Sequence, residues 1–468
     1  MKYFQKMRKK LLHFVERCDI IHMKINLNDI IYMPEVKQME ILRVKVKGIR
    51  NITEAKISFD KITALVGVNG YGKSNIMDAV DFGIDFIKFP SAVKNKLMTS
   101  KRDLPILKSN AGRDFEFEIE IKLKSNNVDY YVLYGYSFRW GKAEETAKII
   151  SEYLEMKTDE KGQKYKTYLS RSINGAKYKR SETGRCDVNI KIEDDSLVIN
   201  KLTAYDDLYY LDILNQINRL QFYIERHLDP SYSYMPDPFV VKGFGELELG
   251  GIQSIPRAIF FLKKEHPDKF ELLINSFKQL FPRIVDVQVD EIKLEQSQNI
   301  NINISEDAPI MYTDSIYAMS VIDQVLLQPL RFESLSDGAK RIFLMLTYAV
   351  IADVKGLSMI AIEEPENSIH PNLLQNYLDI LSQLVSDCKI IFTSHSPYII
   401  QYINPRSIYI GITCADGSVD FRKIAGSKVN SLLKDASQYD RSVGDYIFNI
   451  LSTADADEAL QEYTESNE

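Results

Sequence analysis

Gly67-Val68-Asn69-Gly70-Tyr71-Gly72-Lys73-Ser74 fits the phosphate-binding pattern GxxxxGK[ST], and the residues on either side decide how to read it. Before it, Lys61 to Val66 is a short apolar, β-branched run; after it, Asn75 to Phe82 spaces its apolar residues for a helix. Strand, glycine loop and helix stand in the order a phosphate cradle requires. Gly67, Gly70 and Gly72 let backbone N–H groups close around phosphate oxygens, with Asn69 inside the loop and Asn75 just past it, and the helix N-terminus adds its dipole. Lys73 is expected to reach the β- and γ-phosphates and the Ser74 hydroxyl to ligate Mg²⁺, so ATP and Mg²⁺ are the expected ligands.

Far along the chain, the apolar strand Leu357 to Ile362 delivers Glu363 and Glu364 to its C-terminal end, where parallel sheets hold ligands. Glu363 is placed to hold the magnesium through its water shell, and Glu364 to orient or deprotonate an attacking water. Glu-Glu-Pro-Glu is also an acceptable turn, and it is the phosphate loop upstream that favours chemistry. About 20 residues earlier, Glu333 to Arg341 reads Glu-Ser-Leu-Ser-Asp-Gly-Ala-Lys-Arg ahead of an apolar helix from Ile342 to Ala352. Ser336 and Gly338 stand where a hydroxyl and backbone amides meet a phosphate at a helix N-terminus, although Ser-Asp-Gly alone is an ordinary cap. A further apolar run, Cys388 to Phe392, ends in Thr393-Ser394-His395-Ser396-Pro397, which puts His395 two elements after Glu364. His370 falls in the turn after the carboxylate strand and reads as a structural or interface residue.

The 468 residues are 45% hydrophobic and 26% charged, an ordinary globular balance with room for two or three cores. Acids exceed bases by 65 to 59, so no global basic field holds nucleic acid. Cys18, Cys186, Cys388 and Cys414 are too scattered for a zinc site or a disulfide framework, which suits a reducing cytoplasm. No apolar run approaches the roughly 18 residues that span a bilayer, and neither a membrane segment nor a signal peptide is expected.

The series GVNGYGKSN, LSDGAKR, IEEPENSIHP and TSHSP resembles the ABC-type ATPases of the SMC, RecF and OLD (overcoming lysogenization defect) branch. Within that branch it is most similar to the stand-alone OLD-like AAA-type ATPases, over residues 41–85 and 330–410. The resemblance implies an α/β P-loop NTPase fold of ABC-ATPase type, with a mixed central sheet and an inserted α+β lobe between the phosphate loop and the signature motif. It makes Glu363 the Walker B metal ligand, Glu364 the catalytic carboxylate, His395 the switch histidine and Ser336 and Gly338 the signature. It implies a homodimer, or a higher oligomer built on it, closed around two ATP molecules, with each signature completing the other subunit's site. The context it implies is a regulatory ATPase of a prokaryotic antiviral defence module, working with a separate nuclease or toxin effector. A DNA repair or recombination ATPase that clamps DNA, and an OLD-like ATP-dependent nuclease, are the alternatives. The Walker B pair is Glu-Glu where most ABC ATPases carry Asp-Glu, and Gln253 is the position considered for a Q-loop glutamine. About 70 residues follow His395, too few for the Toprim domain of OLD nucleases, and Asp455 and Asp457 read as a solvated acidic tail.

The expected organisation is an N-terminal extension (1–38), a first ATPase part (39–97), an inserted strand-rich then helical lobe (98–290), a second ATPase part (291–425) and a helical C-terminal tail (426–468). Met39 to Val46 reads as an alternating edge-type strand, and 203–228 and 253–281 as helices. Lys157 to Arg185 interleaves basic residues with Tyr165, Tyr168 and Tyr178, a pattern that suits nucleic-acid contact or, more simply, a solvated hairpin. No heptad run is long enough for a coiled-coil arm.

Overall fold

The computed structural model describes residues 39–465 apart from 68–71, 101–102, 106, 142–146, 227–229, 243–244, 248, 250–253, 295–309, 415 and 454. The extension expected at 1–38, the loop residues Asn69 and Gly70, and Gln253 therefore lie outside the described residues.

The central sheet has the order β10 (Phe222–Glu225), β16 (Met359–Glu363), β17 (Lys389–Ser394), β3 (Ile62–Val66), β18 (Ile408–Thr413), β19 (Val419–Lys423). Its first five strands run parallel and β19 returns antiparallel, which is the mixed sheet of the expected α/β P-loop fold. A sheet covered on both faces needs strands that are apolar on both faces, and side chains alternate between them. Accordingly Leu65, Met359, Ala361 and Ile391 turn into one core. Ala64, Val66, Ile360, Ile362, Ile390 and Phe392 turn into a second.

The first core lies between this sheet and an eight-stranded antiparallel one. Its order is β2 (Ile52–Ser58), β1 (Met39–Ile49), β4 (Phe115–Ser125), β5 (Val128–Arg139), β6 (Lys148–Thr158), β7 (Lys166–Ser172), β8 (Gly175–Lys179), β9 (Cys186–Ile190). Helix α1 (Lys73–Lys88), which follows the phosphate loop, is part of this core and buries Ile76, Met77, Ala79, Val80, Gly83, Phe86 and Ile87 along one side. Phe86 stacks on Tyr136 and Phe138 of β5, with centroids 5.1 and 4.9 Å apart. The Tyr136 hydroxyl donates to the Gly83 carbonyl at 2.8 Å, and a side chain at Gly83 would overlap the Phe117 ring of β4. The strands that follow the phosphate-loop helix thus extend the sheet that β1 and β2 begin.

Two expectations change here. Met39–Ile49 is no edge: it pairs with β2 on one side and β4 on the other. Its alternation of buried Ile41, Val44 and Val46 with outward Arg43, Lys45 and Lys47 is what any strand with one wet face shows, whether edge or interior. Residues 203–228 are not one helix. They hold α3 (Leu211–Asn218), after α2 (Val198–Leu202), and then β10, whose four residues are too few to display a period of two. The basic segment is the solvated hairpin of β7 and β8, with Lys161, Lys164, Lys166, Lys177, Arg180 and Arg185 exposed and two of its cations turned inward. Arg171 is buried with its guanidinium donating to the Glu193 and Ser196 carbonyls, Lys179 is buried against the Tyr168 ring, and Tyr178 is buried. On the outer face several cations are matched across strands, Arg43 to Glu118 and Glu120, Lys47 to Glu116, and Lys122 to Asp159.

The second core packs α4 (Ile255–Glu265), α5 (Pro267–Leu280), α6 (Asp337–Val354) and α7 (Pro371–Leu384) on the other face of the central sheet. With them stands a small antiparallel sheet of β12 (Ile284–Lys293), β14 (Ser315–Asp323) and β15 (Leu330–Arg331), while β11 (Phe239–Val241) pairs with β13 (Ile310–Tyr312). Helix α6 is buried almost all round, as its unbroken apolar run demands. Helices α8 (Pro397–Tyr402), α9 (Val429–Gln438), α10 (Val443–Leu451) and α11 (Ala456–Gln461) complete the chain. The acidic tail is better held than its composition suggests: Asp457 pairs with Arg422 at 2.7 Å, while Leu460 and Tyr463 are buried in the core. Among the described residues no helix is long and apolar enough to cross a membrane.

Because α1 meets β4 through Gly83, Gly83→Ala should cost about 1–3 kcal/mol by overpacking. Gly112, which faces open space, is the control. Urea unfolding should show Gly83→Ala clearly less stable and Gly112→Ala close to the parent.

Candidate functional site

Register brings the motifs together. In the parallel sheet Ser394 lies opposite Val66, Thr393 opposite Glu363 and Ile362 opposite Glu225. The next residues, His395, Gly67, Glu364 and Arg226, therefore leave four adjacent strands at the same edge, the C-terminal one where α/β sheets hold ligands. Two hydrogen bonds carry the pairing past the strand ends, from Gly67 N to the Ser394 carbonyl at 3.3 Å and from Glu364 N to the Thr393 carbonyl at 2.8 Å.

Gly72 begins α1 with φ 76°, and a Cβ there would lie 3.0 Å from Val419 Cγ2 and 3.1 Å from the Asn51 amide, so glycine is required twice over. Lys73 Nζ donates to the Gly67 carbonyl at 2.6 Å. Burial holds its pKa below the ordinary lysine value, against the pull of Glu364, Glu366 and Glu363. Asn75 Nδ2 donates to Asn51 Oδ1 at 2.8 Å and its Oδ1 accepts from Arg50, so it ties α1 to the β1–β2 turn.

Ser74 Oγ donates to Glu363 Oε1 at 2.9 Å. An octahedral Mg²⁺ with bonds of about 2.0–2.1 Å sets neighbouring oxygens roughly 2.9 Å apart, so this hydroxyl and carboxylate fit such an ion by donor type and by spacing. Mg²⁺ also prefers few protein ligands and keeps its other positions for water and phosphate, as an exposed Ser74 would allow.

Glu364 is the most constrained residue of the group. Its φ of 49° is one an L side chain rarely adopts, and the surroundings hold it there. Arg341 Nη2 of α6 donates to its carbonyl at 2.8 Å, and Asn367 Nδ2 donates to Oε2 at 2.7 Å. His395 Nδ1 stands 2.9 Å from Oε1, in contact but not aligned as a hydrogen bond. Next to it Glu366 accepts from the Ser394 hydroxyl while its Oε2 is buried with no hydrogen-bond partner; burial raises its pKa above the usual carboxylate range.

Ser336 Oγ accepts from Ala339 N at 3.3 Å and caps α6. Gly338 is packed so closely that a Cβ would lie 2.5 Å from the Ser368 carbonyl. Both residues thus stand at the Ser368 end of the Glu363–Ser368 segment. His370 Nδ1 accepts from Asn372 N at 3.3 Å and caps α7, a structural role. A cleft of about 530 Å³ opens beside His395, lined by Glu366, Asn367, Ile369, Ser396 and Tyr398.

Sequence reasoning did not single out Arg341, Asn367, Glu366 or Arg226. Arg341 closes the LSDGAKR stretch and Asn367 follows Glu364 by three residues, so both carried a positional signal; Arg226 carried none.

Residues 62–401 match the family described as "AAA domain, putative AbiEii toxin, Type IV TA system". The chain belongs to this AAA-domain family. No curated protein matches it in sequence. Among solved structures it is similar to an SMC head bound to the C-terminal winged-helix domain of ScpA, at 15% identity over 84% of this chain and 99% of that one, with a TM-score of 0.42. It is similar also to the SMC head domain from Thermotoga maritima, at 11% identity, 82% and 99% coverage and a TM-score of 0.39. A third is the SMC head with an extended coiled coil from Pyrococcus furiosus, bound to the C-terminal domain of ScpA, at 12%, 86%, 100% and 0.38.

The Glu366 carboxyl carries a pH signature. A native pKa raised above the unfolded value of about 4.3 means that the folded state binds the proton better, so stability falls as pH rises through that window. Glu366→Gln removes the titration. Urea midpoints should therefore shift in favour of Glu366→Gln, relative to the parent chain, as pH is raised from about 4.3 through the native pKa, and stay level beyond it.

Proposed function

We propose that this AAA-domain chain binds and hydrolyses ATP, and that ATP closes two copies into a dimer that opens on hydrolysis. The observation that carries the proposal is the strained Glu364, held by Arg341 and Thr393 with its carboxylate against His395 and Asn367, next to the Ser74–Glu363 pair. Backbone N–H groups of the Gly67–Gly72 loop and Lys73 would bind the phosphates. Ser74 and Glu363 would hold Mg²⁺, which neutralises charge on the β- and γ-phosphates when bound. Glu364 would take the proton of the attacking water, and His395 would contact the terminal phosphate. The Ser336 hydroxyl accepts from Ala339 N yet keeps its own proton to donate, and the N-terminus of the 18-residue α6 lies directly behind it. In the second copy, Ser336 and Gly338 would complete the first copy's site.

The same reading gives the chain an OLD-like, cytoplasmic regulatory role in an antiviral defence module with a separate nuclease or toxin effector. What supports a place in such a module is the family's description, which names a type IV toxin–antitoxin system. The inward turn of Arg171 and Lys179 removes two of the nine cations between Lys157 and Arg185 from any surface a DNA clamp would use.

The test is turnover and assembly together. Lys73→Ala should abolish ATP turnover. Glu364→Gln should lower kcat by about 10²–10⁴-fold, as loss of a general base does, while keeping ATP and accumulating a dimer in light scattering with Mg-ATP. Retained turnover in either variant would reject the site. A stoichiometric second protein recovered with Glu364→Gln from the native host would support the effector arrangement, and nucleic acid recovered in its place would reject it.

A further inference from the structure

Arg226 is a cation that the fold, rather than any motif, brings beside Glu363. It follows β10, and the register of β10 on β16 sets it beside Glu363 at the ligand edge of the sheet. Its Nη1 lies 3.9 Å from Glu363 Oε1, the oxygen that accepts the Ser74 hydrogen bond. Its Nη2 pairs with Asp78, one turn beyond Ser74 on α1. Asp78 in turn holds Arg50 through its other oxygen, and Arg50 reaches Asp103 at 3.5 Å. The three groups are largely shielded from water: 25% of the Arg226 side chain is exposed, 22% of Glu363 and 20% of Asp78. At such exposure opposite charges are screened far less than on an open surface.

We propose that Arg226 is a positioning residue that serves as the resting counter-cation of Glu363, so that the guanidinium and Mg²⁺ compete for the same carboxylate oxygen. The inference rests on the assignment of Ser74 and Glu363 as the magnesium ligands. With no ion bound, Arg226 and Ser74 together hold the Glu363 carboxylate in place; a divalent ion entering between Ser74 and Glu363 meets a guanidinium already there. Asp78 sets the balance, because it draws Arg226 toward α1 and away from Glu363. The metal site is then tuned to be weak until phosphate oxygens add their charge.

The experiment is a Mn²⁺ titration of the full chain at fixed, saturating AMP-PNP, with free Mn²⁺ read by electron paramagnetic resonance. Arg226→Gln should lower the metal midpoint by about threefold or more, since one neighbouring positive charge is gone. Arg226→Lys, which keeps the charge, should stay near the parent. Asp78→Asn should raise the midpoint, and it carries the test if Arg226→Gln does not fold. A role in folding alone would weaken metal binding in every variant or in none. A midpoint that is unchanged or raised in Arg226→Gln, or unchanged or lowered in Asp78→Asn, would overturn the proposal and leave the ATP site standing. Failure of the parent chain to take up metal with AMP-PNP would overturn both.

Discussion

The parallel register of β10, β16, β17 and β3 is the constraint on which the rest depends. Parallel strands can be joined only by long crossovers, so residues far apart in sequence, near 66, 225, 363 and 394, must meet where the strands end. A shift of one residue in any pair would turn that strand's side chains to the opposite face and move its last residue off the common edge. The apolar alternation on both faces forbids this: Leu65, Met359, Ala361 and Ile391 are committed to one core and their neighbours to the other. Hydrophobic burial therefore sets the positions of Lys73, Glu364 and His395 without those side chains contributing to it.

The site stands on the seam between the two cores. Lys73 and Ser74 ride on α1, which is keyed to the eight-stranded sheet through Gly83, Tyr136 and Phe86. Glu364 belongs to the other side, where Arg341 of the buried helix α6 holds its carbonyl and Gly338 of the same helix abuts Ser368. One rigid helix thus carries both the residues that resemble an ABC signature and the brace on Glu364. Displacement of the α6 N-terminus has a direct route to the carboxylate, through the Arg341 hydrogen bond and the Ser368 contact. That arrangement suits a site whose output is a change of conformation.

Legibility in the sequence tracked the length and locality of each signal. The phosphate loop and the strand and helix around it span a single continuous stretch, and α6 and β16 have apolar runs long enough to stand out. β10 did not, because four residues cannot show a period and the helical spacing of α3 runs up to them. The strand at Met39 showed its wet and dry faces but not its neighbours, since pairing on a second edge leaves no mark on alternation. The basic run from Lys157 was legible as a solvated hairpin, which β7 and β8 form, but the pleat that sends Arg171 and Lys179 inward to carbonyls and an aromatic ring was not.

The sequence by itself determined the chemical inventory: a glycine loop ahead of a lysine and a serine, paired carboxylates at the end of an apolar strand, and a histidine at the end of the next. Those are local facts, written in consecutive residues whose type limits what they can do. Only the tertiary structure decided which groups share one edge, that Glu364 sits on a left-handed backbone under Arg341, and that Arg226 and Asp78 stand beside Ser74 and Glu363. The physical reason is that these contacts follow from sheet register and from the packing of two cores, and both depend on every strand at once.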